Sequence, residues 1–360
     1  MTAIHIKTPA LTLKAGRRAL QRIREQGLSP ADVGILPGAA GGPKALGIQG
    51  LDLALFGEWL PRAPRERSLI GASIGSWRFA SACLPDPAEG IRRLGELYTQ
   101  QRFARKASIS DVSKSCAKML DDLLDGHDAS VLDNPWYRLN VVVVKSHGRL
   151  AQDGKTHLGL GLGAVIRDNL VGRRHLHRHF ERLIIHDARR APPLEALSDF
   201  PSRYLHLDLA NLRHALLASG SIPMVMEGVR DIPGAGPGTY RDGGLLDYHL
   251  DLPYQPEGVV LYPHFTDKVI PGWFDKGLPW RRGDAGRLQD VLLLAPSKDY
   301  LARLPHKKLP DRKDFHRYLG DDAGRERYWS KAMDESRRMG DEFLELVDNG
   351  RLGERLQPLT

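Results

Sequence analysis

The chain has 360 residues, 41% of them hydrophobic and only 7% aromatic, with 52 Lys and Arg against 44 Asp and Glu for a net charge of +8. That length supplies core for one decorated α/β domain or two smaller ones. The dispersed positive excess excludes the dense basic block of a nucleic-acid tail while fitting attraction to anionic surfaces.

Two cysteines, Cys83 and Cys116, are too few for a disulfide scaffold and point to a reducing compartment. The N-terminus lacks a signal-like apolar run, and no stretch is long enough to span a bilayer. The expectation is a soluble, cytoplasmic protein, with peripheral contact to an anionic membrane surface left open.

Residues 14–26 read as an amphipathic helix stopped by Gly27, so that residues 1–28 form an N-terminal helical extension. Val33 to Leu36 is a short apolar strand that enters a glycine-rich turn at Pro37, and Lys44 through Leu60 follows as a helix. Ser68 to Ile70, a turn over 71–75 and a helix from Trp77 to Cys83 repeat the pattern. Helices are expected over 87–105 and 110–123, then a polar connection from Asp125 to Pro135.

Leu139 to Lys145 (LNVVVVK) is the strongest strand, and its β-branched run predicts burial on both faces, as in the middle of a parallel sheet. Further strands fall at 183–185, 204–207, 258–262 and 291–294, with a helix from Ala210 to Ala218. Near the C-terminus Tyr328, Trp329, Met333, Met339, Phe343 and Leu346 recur at helical spacing. The whole reads as one α/β domain over 29–310 with a C-terminal helical extension, 311–360, packed on it.

Three segments carry chemistry. Gly71-Ala72-Ser73-Ile74-Gly75 fits G-x-S-x-G, in which small neighbours permit a sharp strand-to-helix turn that lifts the serine oxygen clear of the sheet. Ser76, the nearest rival hydroxyl, falls in the first helical turn, where it caps or faces the protein. Gly38 to Lys44 (GAAGGPK) follows the first strand and so lies at the same sheet edge. Gly41 and Gly42 can present amides to a developing oxyanion, and Pro43 at a first helical position loses nothing by lacking an N–H. The Walker pattern fails there, because Pro43 separates Gly42 from Lys44 and Ala45 replaces the hydroxyl residue. Arg241-Asp242-Gly243-Gly244 places a carboxylate on a tight glycine turn.

The order of these elements, together with Ala218-Ser219-Gly220-Ser221-Ile222-Pro223, resembles the patatin-like phospholipase family over roughly residues 30 to 250. The resemblance implies a three-layer α/β/α sandwich with a largely parallel central sheet. It implies a serine lipid acyl hydrolase using a Ser–Asp dyad, with Ser73 as nucleophile and Asp242 as base. Gly41 and Gly42 match the oxyanion loop and Lys44 its basic residue, while no cofactor or metal is called for. Ala40, Ala45 and Ile74 depart from that family's usual glycines and small residue, and Ile74 bears on the shape of the substrate pocket.

Alternatives stay open at this point. His249 and His264 follow Asp242 and satisfy the chain order of a Ser–Asp–His triad, with His264 the better placed. Arg173 to His179 (RRHLHRH) reads as a solvated basic surface able to meet anionic head groups, and as a strand it would align its histidines. Trp273, Phe274 and Trp280 fit a lid, a lipid-facing loop or the core. Lipid esters, other hydrophobic esters including polyester oligomers, a non-catalytic α/β binding protein and a nucleotide-binding loop are the competing functions. No nucleic-acid partner is expected, and the oligomeric state is not legible.

Overall fold

The computed structural model describes residues 8–359; residues 1–7 of the N-terminal extension lie outside it. The strands are β1 (Leu11–Ala15), β2 (Val33–Gly38), β3 (Arg67–Ala72), β4 (Tyr137–Ser146), β5 (Phe180–Asp187), β6 (Ser202–Leu207), β7 (Val229–Arg230), β8 (Thr239–Asp242), β9 (Val259–Pro263), β10 (Val291–Pro296) and β11 (Gln357–Pro358). The α-helices before β5 are α1 (Arg17–Gln26), α2 (Gln49–Ala54), α3 (Ile74–Ala82), α4 (Pro87–Thr99), α5 (Ile109–Leu124), α6 (Asp128–Asp133) and α7 (Lys155–Val171). Those after it are α8 (Leu212–Gly220), α9 (Lys298–Arg303), α10 (Lys313–Arg317), α11 (Asp322–Asp348) and α12 (Leu352–Arg355).

One mixed sheet in the order β11-β1-β10-β9-β2-β3-β4-β5-β6 forms the middle of a three-layer α/β/α sandwich. From β10 to β4 the neighbours are parallel, while β1 and β5 join antiparallel. β4 is buried on both faces, as its sequence requires. Val141 and Val143 enter the main core, whereas Val144 packs with Leu158 and Val165 of α7 and with Leu245. Yet β4 marks the place where the sheet changes direction, since β3 runs parallel to it and β5 and β8 run against it.

Elsewhere the sequence pattern and the fold part company. Lys14 and Ala15 belong to β1, which adds to the sheet beside β10, so the first segment is a strand followed by a helix. The expected helix over 44–60 changes winding, from 3₁₀ at Gly42–Ile48 through α2 to a π turn at Leu55–Trp59. Arg173 to Arg178 forms a 3₁₀ turn and not a strand. α7 has no clean apolar period because both its inner and outer faces are apolar, and periodicity is what reveals a helix in sequence.

Candidate active site

Ser73 follows the last residue of β3 and caps α3 in a strained left-handed conformation, φ 56° and ψ −129°. The turn is possible because neighbouring backbones touch. A Cβ on Gly75 would fall 1.9 Å from the carbonyl oxygen of Gly38, so the elbow is pressed against the end of β2. Strain of this kind persists only where packing over-determines it, and it gathers at functional sites.

The sheet register brings Asp242 to the same point. β3 ends with Ala72 opposite Val142 of β4, and β8, arriving from the other direction, ends with Asp242 opposite Val143. Ser73 and Asp242 therefore meet end to end along one side of β4, both buried. Asp242 was expected on a loop and instead closes a strand that Gly- and Pro-rich flanks concealed. The turn after it needs glycine, because a Cβ on Gly243 would lie 2.2 Å from the Val142 carbonyl oxygen.

The Asp242 carboxylate accepts a 2.7 Å hydrogen bond from the Gly244 amide. Burial pushes its pKa above the ordinary carboxylate value, opposed by hydrogen bonding from the Ser73 hydroxyl, by Arg312, by the Gly244 amide and by Lys276.

Ser219 fixes the elbow from behind. Its hydroxyl accepts from the Ser73 amide at 2.9 Å and donates to the Val142 carbonyl at 2.8 Å. The Ser76 hydroxyl lies 3.0 Å from it and, with the Ser219 proton already given to Val142, is the donor in that pair. Ser76 thus faces the protein and is spent in the network. Ser219 lies in the A-S-G-S-I-P segment, but its role depends on a contact 146 residues away in sequence, which no local pattern carries.

Two cavities meet at this point. A cavity of about 340 Å³, mainly apolar, is lined by Ser73, Ile74, Trp77, Met119, Ile222 and Arg312 among others. A second, about 280 Å³, holds Gly41, Lys44, Asp242, Trp273, Lys276 and Arg312. Ile222 and Arg312 border both. Gly41 lines the second cavity and Gly42 the first, with Gly42 at φ 58° opening a 3₁₀ turn. The first amides of a helix have no partner inside it, and Gly42 and Ile74 both occupy such positions.

Among the described residues the cations here form no ion pair. The Lys44 ammonium makes one long contact, 3.5 Å to the Tyr248 hydroxyl, and lies 4.6 Å over the Phe265 ring. Burial lowers its pKa, Asp311 opposes the fall, and Arg312 and Lys308 add to it. Desolvation, Lys44 and Arg312 push Lys276 down to about 7, an effect weakened by solvent on its exposed side. Arg312 reaches the glycine loop, where a Cβ on Gly42 would meet its Nε at 3.1 Å. Arg312 and Lys276 have no sequence signature: each stands in a charged or irregular stretch, and only the fold carries it to Asp242.

His264 is fully buried, with Nδ1 engaged by the backbone of Thr266, and burial drives its pKa down to about 3. His249 packs 4.3 Å from it and is likewise held neutral. Neither lines the cavity containing Ser73 or the one containing Asp242. The aromatic segment divides: Trp273 borders the Asp242 cavity, Phe274 packs on the second core cluster, and Trp280 is exposed. The chain matches no protein-family model, and no curated protein matches it.

Proposed function

We propose that this chain is a serine acyl hydrolase that cleaves carboxylic esters of lipids or similar hydrophobic molecules, of the patatin-like kind. The observation that carries the reading is the register of β3 and β8 on β4. It sets a strained, buried serine beside a buried carboxylate, with the serine lining a largely apolar cavity.

In the proposed reaction the acyl chain lies in the apolar cavity with its carbonyl carbon at Ser73. The hydroxyl proton passes to Asp242 as Oγ bonds to that carbon, and the amides of Gly41 and Gly42 hold the oxyanion. Collapse breaks the carbon–oxygen bond, and the leaving alkoxide takes the proton from Asp242. Water then gives a proton to Asp242, attacks the acyl-serine and releases the acid, and the proton returns to Ser73. A carboxylate raised above its ordinary pKa by burial is a better base than one in water.

Labelling by a fluorophosphonate tests the nucleophile. Wild type is expected to label and Ser73→Ala not to, and equal labelling of the two would sink the assignment. His264→Ala is expected to keep p-nitrophenyl ester hydrolysis while Asp242→Asn loses it; the reverse would favour a triad. Short against long acyl chains then report how much of the apolar cavity the substrate fills.

A further inference from the structure

Beyond its polar first turn, the solvent-facing side of α7 is largely apolar where a surface helix is ordinarily polar. Leu158, Gly161, Val165, Asp168 and Asn169 face inward, while Leu160, Ile166, Leu170 and Val171 are 49–75% exposed. At 100° per residue these four side chains share an arc of roughly 140°, interrupted by one charged residue, Arg167. Trp280, 71% exposed, lies on a segment tied to the same helix: its neighbour Arg281 donates a 2.6 Å hydrogen bond to the Asn169 carbonyl, next to Leu170.

The surroundings of this patch are basic. Lys155 begins α7, Arg174 and Arg178 follow its last turn, and Arg282 follows Trp280; all are exposed and without a carboxylate partner among the described residues. The one carboxylate in the second half of the helix, Asp168, is buried and tied to Arg167 and His179. Large exposed apolar side chains rimmed by unpaired cations are complementary to the interface of an anionic bilayer, where side chains enter the acyl boundary and arginines meet phosphates. The inner face of α7 is packed into the protein core, and no helix among the described residues is long and apolar enough to cross a membrane.

We propose that the outer face of α7, with Trp280, docks this protein onto anionic lipid surfaces. The loop that carries Trp280 also carries Trp273 and Lys276 into the cavity containing Asp242, so one segment links the docking face to that cavity. The RRHLHRH segment, which plays no part in the candidate active site, supplies the basic rim.

Vesicle co-sedimentation of the full chain tests the surface without any catalytic step, so its outcome is separable from that of the acyl-hydrolase reading. Wild type and Ser73→Ala are expected to bind phosphatidylcholine–phosphatidylserine vesicles alike. Binding should be much weaker on phosphatidylcholine alone and should fall with added salt. The double variant Leu160→Asp, Leu170→Asp should bind roughly tenfold or more weakly, and Arg174→Glu, Arg178→Glu should lose the preference for phosphatidylserine. These exposed sites leave the fold intact, which an unchanged melting temperature verifies. Failure of wild type to bind either vesicle, or undiminished binding by the aspartate variant, overturns the proposal. So does light scattering that finds a wild-type dimer made monomeric by those aspartates, since the patch would then join two copies of the chain.

Discussion

This molecule buries charge in two ways. Around Arg182 every buried charge is answered: the guanidinium bonds Asp247 at 2.7 and 2.8 Å, Asp199 at 2.8 and 3.2 Å, and the Ser202 hydroxyl at 3.0 Å. Around Asp242 the matching is incomplete. One amide bonds the carboxylate well, while Arg312 and Lys276 act on it, and Lys44 lines the same cavity, without closing an ion pair with it among the described residues. Paired charges in low dielectric hold the backbone; a buried charge left short of partners raises the free energy of the fold and leaves capacity for a substrate.

The sharpest way to break this comparison is Asp242→Asn. Ester hydrolysis should fall by about 10³- to 10⁴-fold, on the scale seen when one member of an acyl-transfer machinery is removed. Stability should move the other way. Asp242 has a raised pKa in the folded protein, so folding is penalised as pH climbs from the ordinary carboxylate value through the raised one. Asparagine escapes that penalty, and the variant should melt about 1–3 °C higher at neutral pH. Below about pH 4, where the carboxyl is protonated in both states, the advantage should vanish. Thermal melts across pH check the sign.

At the matched site the same logic predicts the opposite. Arg182→Met leaves buried Asp247 with only the long 3.9 Å contact to Arg173, and Asp199 with the 3.8 Å contact to Arg287, a loss of about 3–5 kcal/mol in unfolding free energy. Whatever folded protein remains should keep its fluorophosphonate reactivity per molecule, because Arg182 touches neither cavity. Denaturant titration and quantitative labelling separate the two effects.

Ser219→Ala lies between these extremes. It removes the acceptor of the Ser73 amide and leaves the Val142 carbonyl and the Ser76 hydroxyl without a partner, costing about 1–3 kcal/mol. With the elbow loosened and the cavities untouched, kcat should drop roughly tenfold while KM stays near its wild-type value. A uniform fall in active protein, with kcat per labelled site preserved, would mean that Ser219 serves stability alone.

What the sequence disclosed depends on the range of the forces involved. Ser73 and the glycine loop were legible because a sharp turn imposes local rules on adjacent residues, and β4 because a strand buried on both faces must be apolar throughout. β8 was not, since its four residues sit among Gly and Pro and become a strand only by pairing with Val143 to Ser146. α7 escaped because its exposed apolar face erased the period. The partners of Asp242 escaped for a third reason: Lys276 and Arg312 are brought from remote segments by tertiary packing, with nothing in their neighbours to announce it.

Those two cations allow the finest test, because they act on the same carboxylate with different strength. Arg312 lowers the Asp242 pKa more than Lys276 does. If Asp242 must be ionised to accept the Ser73 proton, the acid limb of kcat/KM reports its pKa in the free enzyme. That limb should lie above the ordinary carboxylate value of about 3.9. Removing a nearby positive charge disfavours the carboxylate, so Arg312→Gln should move the limb upward, and Lys276→Gln should move it upward by less. Added salt should shrink both displacements, since each cavity opens to solvent. An acid limb that stays fixed in Arg312→Gln, or moves farther in Lys276→Gln, would mean that the group titrating in the rate is not Asp242.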